Sequence, residues 1–169
     1  LSTILPGAVI NSATLELYAW DQTGGFGQHS ALSGNNDFYV QRITTAWNES
    51  TVTWNTAPSA TMANQVTAPG TTNATQDYSI NVTALVQDMV TDPTNSHGFH
   101  MQLVTESYYR RINFCTSDHA NGAKRPKLTI NYSPQAFLKM YFRNWILMYF
   151  LTPLLSIFPL RTSSRENMN

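Results

Sequence analysis

Short runs of alternating apolar and polar residues, separated by glycine, proline and asparagine, recur along the first 134 residues of this chain. In residues 13–18 (ATLELY) apolar side chains occupy every second position, the period of a half-buried β-strand. Further predicted strands are 38–43, 78–80, 98–104, 112–116 and 128–132. Because a half-buried strand must cover its apolar face with a second sheet, the pattern predicts an all-β, jelly-roll-like antiparallel β-sandwich.

One stretch has a helical period instead. Between residues 82 and 91 the apolar positions recur at spacings of three, four, seven and eight, which places them on one face of a helix. Asn81 is the expected N-cap, and Asp92-Pro93 is expected to end the helix. The apolar residues of this face are Val82, Leu85, Val86, Met89 and Val90. We expect this single short helix to close one end of the sandwich.

Two longer segments show neither period. Residues 21–37 are rich in glycine and asparagine, and residues 57–75 in proline, alanine, threonine and asparagine, so both are predicted to be loops. Oxygen atoms in the first loop are possible calcium ligands, but the spacing matches no calcium-loop pattern. A structural calcium ion is therefore unsupported, and no cofactor is expected.

Composition narrows the class of protein. A chain of 169 residues is long enough for one domain with a packed core. Lys and Arg total 10, as do Asp and Glu, so net charge does not indicate nucleic acid, and no nucleic-acid partner is expected. Cys115 is the only cysteine, which excludes an internal disulfide. The few charges and the many threonine, serine and asparagine residues are typical of extracellular β proteins.

No motif for a metal or a catalytic nucleophile is present. The four histidines, His29, His97, His100 and His119, lack metal-ligand spacing, so no metal site is predicted. The sequence contains no P-loop, dinucleotide-binding turn or nucleophile motif.

The composition changes after Pro134, which predicts a domain of residues 1–134 and a hydrophobic tail of residues 135–169. From 136 to 160 the only charged residues are Lys139 and Arg143, and Pro153 interrupts the apolar run. A membrane-spanning helix needs about 20 apolar residues. A spanning helix, a sorting or anchoring segment, a non-native extension and a buried helix of the domain are the alternatives. Membrane association is expected only if the tail is an anchor.

Five segments together resemble the DNRLRE domain family, also described as family 96 carbohydrate-binding modules and related to the disaggregatase repeat. The most specific is AWNESTVTWNTAP, which is similar to the family's Trp-x-Glu-x-Thr-Val-Thr-Trp-Asn-x-x-Pro signature. The others are LSTILPGAVINSATLELY, DYSINVTALVQDMV, HGFHMQL and FCTSDHANGAKRPKLTINY. The resemblance covers nearly all of residues 1–132 and implies a secreted, polysaccharide-binding module, since part of the family is associated with alginate.

The chain departs from the family pattern in several places. His97 and Asp118 stand where tyrosine and glutamate are usual, and the tail lies outside the pattern. Members usually carry further strands before the first matching block. The resemblance therefore implies that the first strands are missing, and that one sheet edge is left unpaired.

The two tryptophans of the signature, Trp47 and Trp54, have two interpretations. Exposed tryptophan rings stack on the CH-rich faces of sugars, whereas buried ones anchor a core. Because Thr51 and Thr53 alternate between them as strand residues would, we expect both rings to be core anchors.

Three acidic side chains are candidates for a catalytic role. Glu49 is a possible general acid, with Asp118 or Glu106 as the second carboxylate that glycoside hydrolysis requires. Glu49, Asp118 and Arg125 all lie in segments shared with the family, and a carboxylate–guanidinium clamp between loops would explain them without catalysis. We expect the structural clamp, and no enzymatic activity.

Basic residues concentrate near the end of the domain. Of the six before Pro134, five lie between positions 110 and 127, directly after Tyr108 and Tyr109. If neighbouring strands bring them together, arginine can pair with a uronic acid while tyrosine supports the sugar ring. The predicted ligand-binding residues are Tyr108, Tyr109, Arg110, Arg111, Lys124 and Lys127. A solvated strand face is the alternative.

The sequence thus supports three functions in descending order. The first is an extracellular or cell-surface module that binds a polysaccharide, acidic or neutral, without catalysis, within a larger secreted protein. The second is a structural spacer or adhesin repeat with no glycan site. The third is part of a polysaccharide-degrading enzyme, which needs two close carboxylates in one cleft.

Overall fold

The computed structural model of the chain describes residues 4–5, 7–20, 27–134, 141–143 and 145–147. The described chain forms ten strands and one α-helix, with three short 3-10 turns, and it falls into two units, Leu1–Gln135 and Ala136–Asn169. In the first unit the strands are β1 (Val9–Leu17), β2 (Ser30–Ala31), β3 (Phe38–Ile43), β4 (Ala60–Ala68), β5 (Tyr78–Asn81), β6 (Phe99–Leu103), β7 (Arg110–Arg111) and β8 (Lys127–Ser133). The helix α1 is Thr83–Thr91.

Two three-stranded antiparallel sheets form the body of the first unit. One has the order β5-β1-β8 and the other β4-β3-β6, while β2 and β7 form a separate two-stranded ribbon. β3 and β4 are paired neighbours in one sheet, whereas the chain changes sheet between β4 and β5 and again between β5 and β6. This confirms the predicted all-β antiparallel sandwich with one short helix.

The core lies between the inner faces of the two sheets. Leu15 and Leu17 of β1 face Phe38 and Val40 of β3, and all four are at most 7% exposed. Successive side chains of a strand point to opposite faces, so apolar residues at every second position lie on one face. Burial of that face between the sheets forms the core. Phe38, Tyr78 and Phe114 contact one another at 5.1–5.8 Å between ring centroids, mostly edge to face.

The helix covers one side of this core. Its apolar face, Leu85, Val86, Met89 and Val90, is buried, and the helix packs on β1, β3 and β4. The predicted N-cap was wrong by one residue, because the helix begins at Thr83 and Val82 occupies the N-cap position. The Asn81 side chain, one residue before the cap, accepts a hydrogen bond from the Thr83 backbone N–H at 3.0 Å. The helix ends before Pro93, as predicted.

The helix is also tied to β1 by polar contacts. The Thr83 hydroxyl accepts the Ala13 backbone N–H at 2.9 Å, and the Gln87 side-chain oxygen accepts the Ile10 N–H at 2.8 Å. These bonds satisfy donors of β1 close to its bulge between Ile10 and Ser12. Helix and strand therefore form one unit.

The opposite side of the sandwich is less covered. The inward residues Phe99 and Leu103 of β6 and Leu128 and Ile130 of β8 are only half-buried. In the described part of the chain, β6 pairs with β3 alone and β8 with β1 alone. Both are therefore edge strands, and the expectation that strands precede the first matching block stays a prediction.

Two secondary-structure expectations were wrong. Residues 57–75 are not a continuous loop, because Ala60–Ala68 forms β4. Between the pairs Val40–Val66 and Arg42–Thr61, four residues of β4 lie opposite a single residue of β3. Asn64 is one of the four and has φ 55°, so the alternation that marks a strand is broken there. Residues 112–116 do not form the predicted strand; only Phe114 makes an isolated bridge, to Ala19.

The tail contributes two described strands, β9 (Tyr141–Arg143) and β10 (Trp145–Leu147), which pair antiparallel. Within the described residues, no helix has the length and apolar character needed to cross a membrane. The rest of the predicted tail lies outside the described residues, and the alternatives for it stay predictions.

Leu85→Ala should test the helix–sheet core. Leu85 is fully buried, so its truncation is expected to lower the free energy of unfolding by about 2–5 kcal/mol. The matched control is Leu32→Ala, because Leu32 is 86% exposed, and a change within about 0.5 kcal/mol is expected. Urea denaturation of both variants measures the difference, and equal losses would contradict this assignment of the core.

His29 is a buried polar residue beside the core. Its Nε2 donates to the Gln76 carbonyl at 3.0 Å, and its Nδ1 accepts the Asn113 backbone N–H at 2.9 Å, so both contacts require the neutral ring. Burial among Tyr78 and Phe114 lowers the pKa of His29 below its ordinary value.

Stability should therefore fall on the acid side of neutrality. The contribution of neutral His29 is fully present above the unfolded-state pKa of about 6.5 and is lost as the pH falls through the lower folded-state pKa. Chemical denaturation at a series of pH values between about 8 and 5 should show this decline. The slope should flatten in His29→Asn, and an unchanged slope in that variant would rule out His29 as its source.

Candidate functional site

The signature segment forms an exposed loop between β3 and β4. The Asn48 carbonyl accepts the backbone N–H groups of Thr51 and Val52 at 3.2 and 2.9 Å, and its side chain accepts the Ser50 N–H. A 3-10 turn at Trp54–Thr56 follows, with a capping box between Thr53 and Thr56. Internal hydrogen bonds, rather than burial, hold this loop in shape.

The expectation that both tryptophans are core anchors was wrong. Trp54 is 81% exposed and Trp47 is 43% exposed, because they lie on this loop and not on a strand that packs inward. The Trp47 indole N–H donates to the His97 carbonyl at 3.0 Å. Two large rings on one surface loop are available for contacts with a ligand.

Trp54 lies on one wall of a groove of about 390 Å³ that follows the free edge of β6. Residues of β6, both residues of β7, and Ile112 also line it. The lining residues are Trp54, Ala57, Pro58, His100, Met101, Gln102, Leu103, Glu106, Arg110, Arg111 and Ile112. The lining of the groove therefore includes an exposed tryptophan, two arginines and one glutamate.

Tyr108 and Tyr109 lie just before β7 and are 90% and 71% exposed. The Ser33 hydroxyl donates to the Tyr108 carbonyl and the Ser30 hydroxyl to the Tyr109 carbonyl, so β2 and the loop after it hold this segment. Tyr109 has φ 64°, in the left-handed region that side chains other than glycine disfavour. Strain of this kind is often found at binding sites.

Arg110 is fixed by backbone groups. Its Nε and Nη2 donate to the Ser33 carbonyl at 3.2 and 2.8 Å. Gly34 has φ 123°, and a Cβ there would overlap the Arg110 guanidinium, so glycine is required for this packing. Arg111 Nε donates to the Gln28 carbonyl. Backbone carbonyls therefore orient both arginines.

A comparison with known families agrees with this surface. The model of carbohydrate-binding module family 96 matches residues 1–132. The chain belongs to this family of carbohydrate-binding modules. No curated protein and no solved structure matches it.

In this family 96 module, the other two predicted ligand-binding residues have acidic partners. Lys127 Nζ lies 2.9 Å from a Glu16 carboxylate oxygen, and this hydrogen bond raises the pKa of Lys127. Lys124 lies 3.7 Å from Asp77 and 5.7 Å from the centroid of the Tyr18 ring. Neither lysine lines the groove, and the six-residue patch stays a prediction.

The expected clamp was wrong. Arg125 Nε donates to the His119 carbonyl at 2.9 Å, and among the described residues it forms no ion pair with Glu49 or Asp118. Asp118 and Glu49 are exposed. The structural role assigned to these signature residues therefore has no support from ion pairing.

Glu106 is the only acidic residue among those that line the groove, so the groove lacks the second carboxylate that glycoside hydrolysis requires. Neither Glu49 nor Asp118 lines it. Among the described residues, no group of three or more His, Cys, Asp or Glu side chains is placed to hold a metal ion. The arrangement suits binding of a ligand by stacking, hydrogen bonding and charge.

Sequence reasoning missed the residues that orient the arginines. Ser33 acts through its backbone carbonyl and Gly34 through the absence of a side chain, and neither leaves a recognisable motif. His100 and Gln102 were seen as strand residues, but their place beside Trp54 depends on the path of the loop. The concentration of aromatic and basic residues at 108–111 predicted the arginines themselves, but it carries no information about these partners.

Proposed function

We propose that this module binds an acidic polysaccharide outside the cell or at the cell surface, without catalysis, in the groove between Trp54 and β7. The observation that carries the proposal is the exposure of Trp54 beside Arg110 and Arg111 in a member of a carbohydrate-binding family. Tyr108 and Tyr109 extend the aromatic surface next to the arginines.

Exposed aromatic rings supply the apolar part of the interaction. The CH-rich face of a pyranose covers an indole or phenol ring, which removes apolar surface from water at about 25 cal/mol per Å². Trp54 and Tyr108 have the largest exposed areas for this purpose, at 81% and 90%. A tyrosine or tryptophan platform also loses little side-chain entropy on binding.

The arginines supply the preference for an acidic sugar. A guanidinium group has five N–H donors, and the two hydrogen bonds to the Ser33 carbonyl leave three for a carboxylate on Arg110. Because these protein bonds already orient the group, little further ordering is required when a uronic acid binds. Glu106 offsets part of the positive charge in the groove.

Affinity electrophoresis of the full chain tests the proposal. Gels containing alginate, pectate or a neutral β-glucan should be run at low and high salt. Retardation by an acidic polymer that fades with salt is expected, because salt screens exposed charges. No retardation in any gel, from a protein shown to be folded by circular dichroism, would favour the structural-spacer alternative.

Arg110→Ala should weaken retardation by the acidic polymer about 10- to 100-fold, because a hydrogen bond to a charged group contributes about 1.5–3 kcal/mol. Lys127→Ala is the matched control. It also removes one positive charge, but that charge is paired with Glu16 on another sheet. Equal losses in the two variants would indicate non-specific attraction and contradict a groove site.

Glu106→Gln separates binding from catalysis. Removal of the negative charge should tighten binding of the acidic polymer about two- to fivefold at low salt. The gain should disappear at about 1 M salt, where the Debye length is about 3 Å. Release of reducing ends by the unmodified protein, abolished in Glu106→Gln, would instead support the enzyme alternative.

A further inference from the structure

We propose that Trp47 forms a second sugar-binding subsite, which takes a neutral hexopyranose and is separate from the groove. The inference rests on the proposed function, since it treats the chain as a glycan-binding module. The Trp47 subsite differs from the proposed groove site in its position and in taking a ligand without charge.

The subsite is a depression of about 610 Å³ on the outer side of the signature loop. Its lining residues are Ala46, Trp47, Asn48, Thr51, Val52 and Thr56. None of these residues lines the groove beside β6. The two surfaces therefore share no lining residue, although the same loop carries both Trp47 and Trp54.

Trp47 is held in a fixed orientation. Its only polar atom donates to the His97 carbonyl at 3.0 Å, so a ligand does not have to replace a water molecule on the indole nitrogen. The side chain is nevertheless 43% exposed and lines the depression. A preorganised ring of this kind binds the apolar face of a sugar with little loss of side-chain entropy.

The polar groups around the ring suit hydroxyl groups rather than carboxylates. Thr51 lines the depression, and its hydroxyl forms no hydrogen bond within the part of the chain that the structure describes. No ionisable side chain lines the depression. Glu49 directly follows Asn48, is exposed, and has no ion-pair partner among the described residues. Its negative charge disfavours a uronic acid here.

The two surfaces therefore differ in the ligand charge that they favour: the groove favours an anionic sugar, and the depression favours a neutral one. The groove presents Arg110 and Arg111, whereas the depression has an uncharged lining beside Glu49. A neutral pyranose ring matches the depression because it combines an apolar face for Trp47 with hydroxyl groups for Thr51. Binding at this surface should be nearly independent of salt.

Nuclear magnetic resonance titration of the full chain with a β-1,4-linked glucose hexamer tests the inference. We expect the indole N–H signal of Trp47 to shift on titration, with less than about a twofold change in affinity between low and high salt. Trp47→Ala should weaken binding at least about tenfold, or about 1.4 kcal/mol. Trp54→Ala is the matched control and should leave binding of the hexamer unchanged.

Two further variants keep the test decisive if Trp47→Ala unfolds the loop. Trp47→Phe retains a ring but removes the hydrogen bond to His97, so it should keep most of the affinity if stacking is responsible. Thr51→Tyr fills the depression, removes no hydrogen bond within the described part of the chain, and should abolish binding of the hexamer.

The outcomes separate this inference from the proposed function. Retardation by alginate without any binding of the hexamer would overturn the Trp47 subsite and leave the groove intact. Hexamer binding that is lost in Trp54→Ala, or that fades with salt, would also overturn it. Hexamer binding that survives in Arg110→Ala, with no acidic polymer bound by the unmodified protein, would support the subsite and overturn the acidic groove.

Discussion

Burial of one apolar face of each three-stranded sheet is the constraint on which the rest of the structure depends. Leu15 and Leu17 cover Phe38 and Val40, and α1 completes one side of this core. A chain without a disulfide has to obtain its stability from such packing. The inner faces of both sheets are buried in this core, so only loops, sheet edges and outer faces are accessible to a ligand.

The large aromatic residues outside the core are exposed because they lie on loops rather than on the inner faces of the sheets. Trp47 and Trp54 lie on a loop that is held by its own backbone hydrogen bonds, and Tyr108 and Tyr109 lie on a segment that two serine hydroxyls hold. Because these loops are fixed without burying their rings, the aromatic surface stays open and rigid. In a family of carbohydrate-binding modules, such preorganised rings limit the entropy lost on binding.

Much of the fold could be predicted because the alternation of apolar and polar residues along a strand reflects which side chains are buried. The strands at β1, β3, β5 and β8 and the helix near Leu85 follow it closely. β4 was missed because its bulge at Asn64 breaks the alternation. The position of Trp54 was wrong because alternating threonines resemble a strand, whereas the segment folds into a 3-10 turn. The arginine pair was found from composition, but its backbone partners at Ser33 and Gln28 depend on tertiary contacts that leave no local signal.

The partners of the basic residues explain how a chain with no net charge can present a positive surface. Carboxylates lie beside Lys124 and Lys127 and cancel much of their field. The Ser33 carbonyl orients Arg110, and a carbonyl is a dipole without net charge, so this contact does not neutralise the guanidinium. The charge available to a ligand is therefore set less by the number of basic residues than by the kind of acceptor each one contacts. On that basis Arg110, rather than Lys124 or Lys127, is the basic residue on which the proposed acidic ligand depends most.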